Sequence, residues 1–136
     1  MNTYVNFNGT CARAFRHDEE PLGGTITSMT TFGERPDHGQ VDPAWQDRVV
    51  HARMAVGGAV LMGADIQGAE PMRSAYLTLN PASVGDAERV FAALADGGEV
   101  FMPLRETFFA IRFAQLRDRF GVNWMILHEL PTAAQG

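Results

Sequence analysis

A chain of 136 residues, 46% of them hydrophobic, has room for one core and too little length for two ordinary independent domains. Its net charge of -5 comes without any basic run, so a nucleic-acid partner is not expected. No apolar run approaches ~20 residues and no basic start precedes an apolar stretch, so neither a membrane span nor a signal peptide is expected, and cytoplasm is the default.

The order of elements is stated twice. Tyr4-Val5-Asn6-Phe7-Asn8 and Tyr76-Leu77-Thr78-Leu79-Asn80 are both alternating runs, each followed by a helix-period segment and a double glycine, Gly23-Gly24 and Gly97-Gly98. One domain, 1–136, built of half-modules 1–66 and 74–130 joined by a linker at 67–73, is the expected organisation. In the first half a strand over 3–7 leads through Asn8-Gly9-Thr10 into a helix, with Thr10 as the expected cap. That helix puts Cys11, Ala14 and Phe15 on one face and ends at Pro21 and the glycines. Cys11, the single cysteine, excludes an intrachain disulfide and a cysteine-rich zinc site, and its setting reads as a small buried hydrophobe.

Residues 25–32 are rich in β-branched side chains and read as a strand. Residues 33–47 have two prolines, two glycines and no period, and read as a loop in which His38, beside Asp37, is solvated. Two strands, 49–56 and 59–65, flank the hairpin turn Gly57-Gly58. In the second half, Ser83 and Asp86 stand at capping-box spacing before the stripe Ala87, Val90, Phe91, Leu94 and Ala95. Strands over 99–105, 108–116 and 123–129 follow, the last two joined by a turn at 117–121.

Alternation then assigns faces. Val5, Phe7, Ala52, Met54, Val56, Ala75, Leu77 and Leu79 are expected under the helices, leaving Tyr4, Asn6, His51, Arg53, Ser74, Tyr76 and Thr78 on the opposite face. Phe109, Ile111 and Phe113 similarly leave Arg112 on that opposite face. A face of His, Arg, Tyr, Ser and Thr suits a ligand, a solvated surface or a dimer interface. Arg53-Met54-Ala55 and Arg112-Phe113-Ala114 stand at matching places in the halves, and two such arginines suit an anion, or internal ion pairs to Asp65 or Glu106. Of His17, His38, His51 and His128 none forms a local metal-binding pair, and His51 is the one candidate ligand or base. A G-x-G-x-x-G loop and a G-x-S-x-G elbow are both lacking, which argues against dinucleotide and methyl-donor folds and against a hydrolase.

Seven blocks carry a resemblance that runs from about residue 4 to residue 128: 7–11 (FNGTC), 22–24 (LGG), 32–34 (FGE), 50–52 (VHA), 61–65 (LMGAD), 106–109 (ETFF) and, most specific, 118–126 (DRFGVNWMI). In these the chain resembles the PhnB-like branch of the vicinal oxygen chelate superfamily, to which glyoxalase I, bleomycin-resistance proteins and extradiol dioxygenases belong. The resemblance implies an α+β fold of two βαβββ modules forming a cupped mixed sheet, usually completed by a homodimer.

Metal-dependent members hold His or Gln on the first strand of each module and Glu on the fourth. Laid alongside them, this chain has Met62 and Met125 at the Glu positions and Ser74 near the second His position, poor ligands for hard divalent ions. The resemblance therefore implies a small-molecule-binding protein of the bleomycin-resistance kind, with no cofactor and no metal. Its expected ligand, anionic or aromatic, would be held by Tyr4, Trp45, His51, Arg53, Met62, Ser74, Tyr76, Arg112 and Met125. The alternative is a lyase, isomerase or dioxygenase using a divalent metal ion with His51 and Glu106 as substitute ligands. A methyltransferase label, common in this branch, has no sequence support. Relatives also commonly show an aromatic pair where this chain has His17-Asp18, so the first helix is expected to pack differently there.

Overall fold

The computed structural model describes residues 2–36 and 41–131, and the chain divides into two units, Met1–Pro71 and Met72–Gly136. The His38 and Asp37 reading lies outside the described residues. The first unit runs β1 (Thr3–Phe7), α1 (Cys11–Glu19), β2 (Thr25–Thr31), β3 (Val49–Val56) and β4 (Ala59–Asp65). The second runs β5 (Leu77–Leu79), α2 (Val84–Ala95), β6 (Glu99–Arg105), β7 (Ala110–Arg117) and β8 (Asn123–Glu129). Each is a four-stranded mixed sheet, in the orders β1-β4-β3-β2 and β5-β8-β7-β6, in which only the first strand and the last run parallel. Each unit is thus a βαβββ module, and the fold is α+β.

Helix α1 buries Cys11, Ala14, Phe15 and Asp18, the i, i+3, i+4, i+7 face expected of a helix lying on a sheet. Beneath it Val5, Phe7, Ala52 and Met54 are buried. Gly63 is small because α1 lies directly above it: an added Cβ would stand 2.9 Å from Phe15 Cε1 and 3.2 Å from Cys11 Sγ. Next to Phe15, Asp18 is buried and shares a 3.1 Å hydrogen bond with His17 Nδ1.

Thr10 occupies the N-cap position of α1 but makes no side-chain cap bond, contrary to expectation. The cap is Asp65, at the end of β4. Its Oδ1 accepts from the backbone N–H of Gly9 and of Cys11, both at 3.0 Å, and its Oδ2 accepts from Val49 N–H at 2.9 Å. One buried carboxylate therefore ties the start of α1, the end of β4 and the start of β3, and it sits at the helix end where a negative charge is favoured. In the second unit the cap does follow the sequence, with Ser83 Oγ accepting from Asp86 N–H at 3.0 Å before Ala87, Val90 and Leu94 turn into the core.

Cys11 is wholly buried, and its thiol is pushed up from the ordinary 9.0 to about 12, first by burial and then by the Asp65 carboxylate. The folded protein keeps a proton that the unfolded chain releases. The associated stability is fully present below pH 9.0 and is lost as the pH rises from there toward about 12. Comparing urea unfolding of wild type and Cys11→Ala should show the wild-type advantage shrinking by about 1.4 kcal/mol per pH unit above that onset. A difference independent of pH would mean that the thiol titrates alike in both states.

Candidate functional site

The two sheets share an irregularity that fixes how they correspond. Thr27 is skipped in the pairing of β2 with β3, between Ile26 opposite Met54 and Ser28 opposite Arg53. Phe101 is skipped in the pairing of β6 with β7, between Val100 opposite Leu116 and Met102 opposite Gln115. These matching β-bulges align Ser28 with Met102, Arg53 with Gln115 and, one strand further, Met62 with Met125. The same register aligns Tyr4, opposite Met62, with Thr78, opposite Met125.

Two transverse rows result, one in each unit. Ser28, Arg53, Met62 and Tyr4 run across β2, β3, β4 and β1; Met102, Gln115, Met125 and Thr78 run across β6, β7, β8 and β5. Directly paired residues share a face, and the buried residues alternate with these rows, so each row lies on the face of its sheet away from the helix. Met62 and Met125 are both half-buried on that face, not in the core beneath a helix.

In the first row the Arg53 guanidinium donates to the Met62 thioether, Nη1 to Sδ at 3.5 Å, a weak acceptor for a charged donor. Among the described residues no carboxylate pairs with Arg53, and Asp65 is committed to three backbone N–H groups on the other side of the sheet. His51, opposite Thr30, shares the parity of Arg53, and its ring lies 5.9 Å from that of Tyr4 at a tilt of 35°. Tyr4 is 48% exposed. Three residues expected from alternation, Tyr4, His51 and Arg53, are therefore together with Met62, which the family resemblance nominated, and Ser28 joins them. The second row is less polar, and Thr78 Oγ1 contacts Met125 Sδ at 3.8 Å.

Other expectations are corrected. Arg112 pairs with His128 on the face of Ala114, Leu116, Trp124 and Ile126, because alternation runs unbroken from Arg112 to Arg117 and the buried set is Ala114 and Leu116, with Phe113 of opposite parity. Its Nη1 donates to the carbonyl of Ile111 at 2.7 Å, and the residue in the place of Arg53 is Gln115. Ser74 and Tyr76 precede β5, which is only three residues long. Ser74 is exposed between Arg73 and Ala75, whose carbonyls accept from Asn123 Nδ2 at 2.8 and 3.0 Å; the Tyr76 ring meets Phe101 edge-on at 6.5 Å. Ala75 is exposed, not covered by a helix, and Phe109 is exposed as well. Glu106 is exposed between β6 and β7. Among the described residues no three His, Cys, Asp or Glu side chains gather as a metal site.

Trp45 does not join the row. It lies in a short 3-10 turn, Pro43–Trp45, and lines a cleft of about 330 Å³ with Phe32, Asp42, Asp65, Ile66 and Gln67, at the end of β4 that carries Asp65.

No helix among the described residues is long and apolar enough to cross a membrane. No protein-family model matches the chain. It is 29% identical over 136 residues to the protein YjdN of Escherichia coli K12, covering 93% of this chain and 92% of that one. Among solved structures it is similar to protein PA1353 of Pseudomonas aeruginosa, at 42% identity, with 95% and 96% of the two chains covered and a TM-score of 0.85. It is also similar to a Bacillus cereus PhnB protein named as a 3-demethylubiquinone-9 3-methyltransferase, at 24% identity, 94% and 98% coverage and a TM-score of 0.73. A glyoxylase/bleomycin resistance protein/dioxygenase domain from Frankia sp. EAN1pec shares the fold, at 16% identity, 95% coverage of both chains and a TM-score of 0.65. The chain belongs to one family with PA1353, and its two βαβββ modules give it the fold of the PhnB protein and of the glyoxylase/bleomycin resistance protein/dioxygenase domain.

Proposed function

We propose that the helix-free face of the first unit binds a small anion with an aromatic body, with no metal at the Met62 position. The observation that supports this is the half-buried guanidinium of Arg53, which has a thioether as its side-chain partner where a carboxylate would ordinarily stand. An incoming carboxylate or phosphonate would replace that weak acceptor with a charged one, giving the short, charge-assisted bonds that guanidinium geometry favours. The Tyr4 and His51 rings beside it supply a surface for an aromatic body, and Met62 an adaptable apolar one. The homodimer implied by the family resemblance belongs to the same reading. A methyltransferase reading gains nothing from the site, which has no glycine loop to hold a nucleotide-like donor.

Isothermal titration with phenylphosphonate, benzoate and the neutral benzamide tests this. The anions should bind, benzamide should bind at least about tenfold more weakly, and Arg53→Gln should weaken the anions by about ten- to a hundredfold. Equal binding of benzamide and benzoate, or an unchanged Arg53→Gln, would remove the proposal. The alternative, a divalent-metal enzyme using His51 and Glu106, predicts stoichiometric metal in untagged protein that is lost in His51→Ala.

A further inference from the structure

The cleft around Trp45 is independent of the sheet face just described. Its walls are two aromatic rings set edge-to-face, Phe32 and Trp45, with centroids 6.3 Å apart, together with Ile66, which is 46% exposed. Among the described residues its charged lining is acidic, Asp42 and Asp65. Asp65 keeps its carboxylate on three backbone N–H groups, and Asp42 uses Oδ1 to accept from Ala44 N–H at 2.9 Å. The other Asp42 oxygen has no bond to a described residue, and Asp42 is exposed at the mouth. Both rings already carry a cation at cation–π distance, Arg35 Cζ 5.7 Å from the centre of Phe32 and Arg48 Cζ 6.0 Å from that of Trp45, yet neither arginine lines the cleft.

We propose that this cleft is a second binding site, for a small organic cation: an ammonium group on an apolar or aromatic body. The aromatic faces and Ile66 take the body, while Asp42 and Gln67 meet the ammonium, the pairing of rings with carboxylates that recognises such groups. The volume of about 330 Å³ is at the lower end of the range for small-molecule sites, which limits the occupant to about one ring.

The chain has two tryptophans, so two indole N–H signals report the outcome. Trp124 Nε1 is buried and donates to Asp118 Oδ2 at 2.8 Å, far from solvent chemistry, and Trp45→Phe identifies the other signal. Benzylammonium titrated into uniformly 15N-labelled protein should move the Trp45 signal saturably and leave that of Trp124 in place. Benzyl alcohol should bind about tenfold more weakly, and Asp42→Asn, which keeps the acceptor for Ala44 N–H but loses the charge, should weaken benzylammonium by a similar factor. Equal response to the alcohol, an unaffected Asp42→Asn, movement of both indoles together, or no movement at millimolar concentrations would each overturn the assignment.

Discussion

Asp65→Asn should be among the most damaging single substitutions in the first unit, costing about 4 kcal/mol and lowering its thermal midpoint by about 10 to 20 °C. The carboxylate accepts three backbone N–H bonds, two on one oxygen and one on the other, with 1% of the residue exposed. An amide offers one acceptor. If its oxygen serves Gly9 and Cys11, its NH2 confronts the N–H of Val49 as donor against donor; if turned over, it abandons the first turn of α1. Either way a buried donor is stranded and the negative charge at the helix N-terminus is gone, and both losses are larger in the interior than at the surface.

The comparison that makes this decisive is Thr10→Ala. Thr10 is the residue that local pattern nominates as the cap, yet its hydroxyl makes no cap bond, so its removal should change the unfolding free energy by no more than about 0.5 kcal/mol. Chemical denaturation of the two variants side by side reads the ratio. Comparable losses would mean that Thr10 caps the helix in solution and that the geometry of Asp65 is not what holds α1.

That contrast shows what kind of information the amino-acid order carries. The helices, the Gly57-Gly58 hairpin and the two-module plan follow from local periods and turn chemistry, which are short-range and written in neighbouring letters. The cap supplied by Asp65 joins residues 54 and 56 positions apart, a separation no local rule spans. Register was the other loss. Tyr4 through Asn8 and Tyr76 through Asn80 look alike by their letters, but the structure matches Tyr4 with Thr78, two positions on. The signal was available, because Tyr4 and Thr78 lie equally far before the double glycines Gly23-Gly24 and Gly97-Gly98. The bulges at Thr27 and Phe101 were hidden, since a skipped residue leaves composition untouched while reversing every face beyond it. Those bulges leave Arg53 with Gln115 as its counterpart, while Arg112 shares the parity of the buried Ala114 and Leu116. Tyr4, His51 and Arg53 were legible together because alternation runs unbroken through each of their strands, whereas Met62 was reached only through the family resemblance.

The corresponding glycines Gly24 and Gly98 should respond very differently to the same added methyl group. Each begins the approach to the first edge-strand residue, and each faces the matching carbonyl of the next strand, Ala55 for Gly24 and Arg117 for Gly98. At Gly24 the nearest atoms to a new Cβ are Met54 Sδ at 2.8 Å and Cγ at 3.0 Å, the flexible end of a side chain, with the Ala55 carbonyl at 3.1 Å. At Gly98 the new Cβ would overlap the Arg117 carbonyl oxygen and stand 3.0 Å from Asp118 Cα, and backbone atoms have no rotamer to escape into. Gly24→Ala should therefore cost about 1 kcal/mol and Gly98→Ala about 3 kcal/mol or more. The damage should also spread in a specific direction. Arg117 pairs with Glu99, bonds Asn123 Oδ1 at 2.9 Å and holds the Met72 carbonyl at 2.6 Å, so pushing its backbone away loosens the stretch that precedes β5. Hydrogen exchange in Gly98→Ala should speed up at Met72, whose N–H donates to Gly121, while the amides that Asp65 holds in the first unit keep their protection. Equal costs at the two glycines, or a loss of protection at Cys11 as large as that at Met72, would show that Arg117 is not the point through which the strain passes.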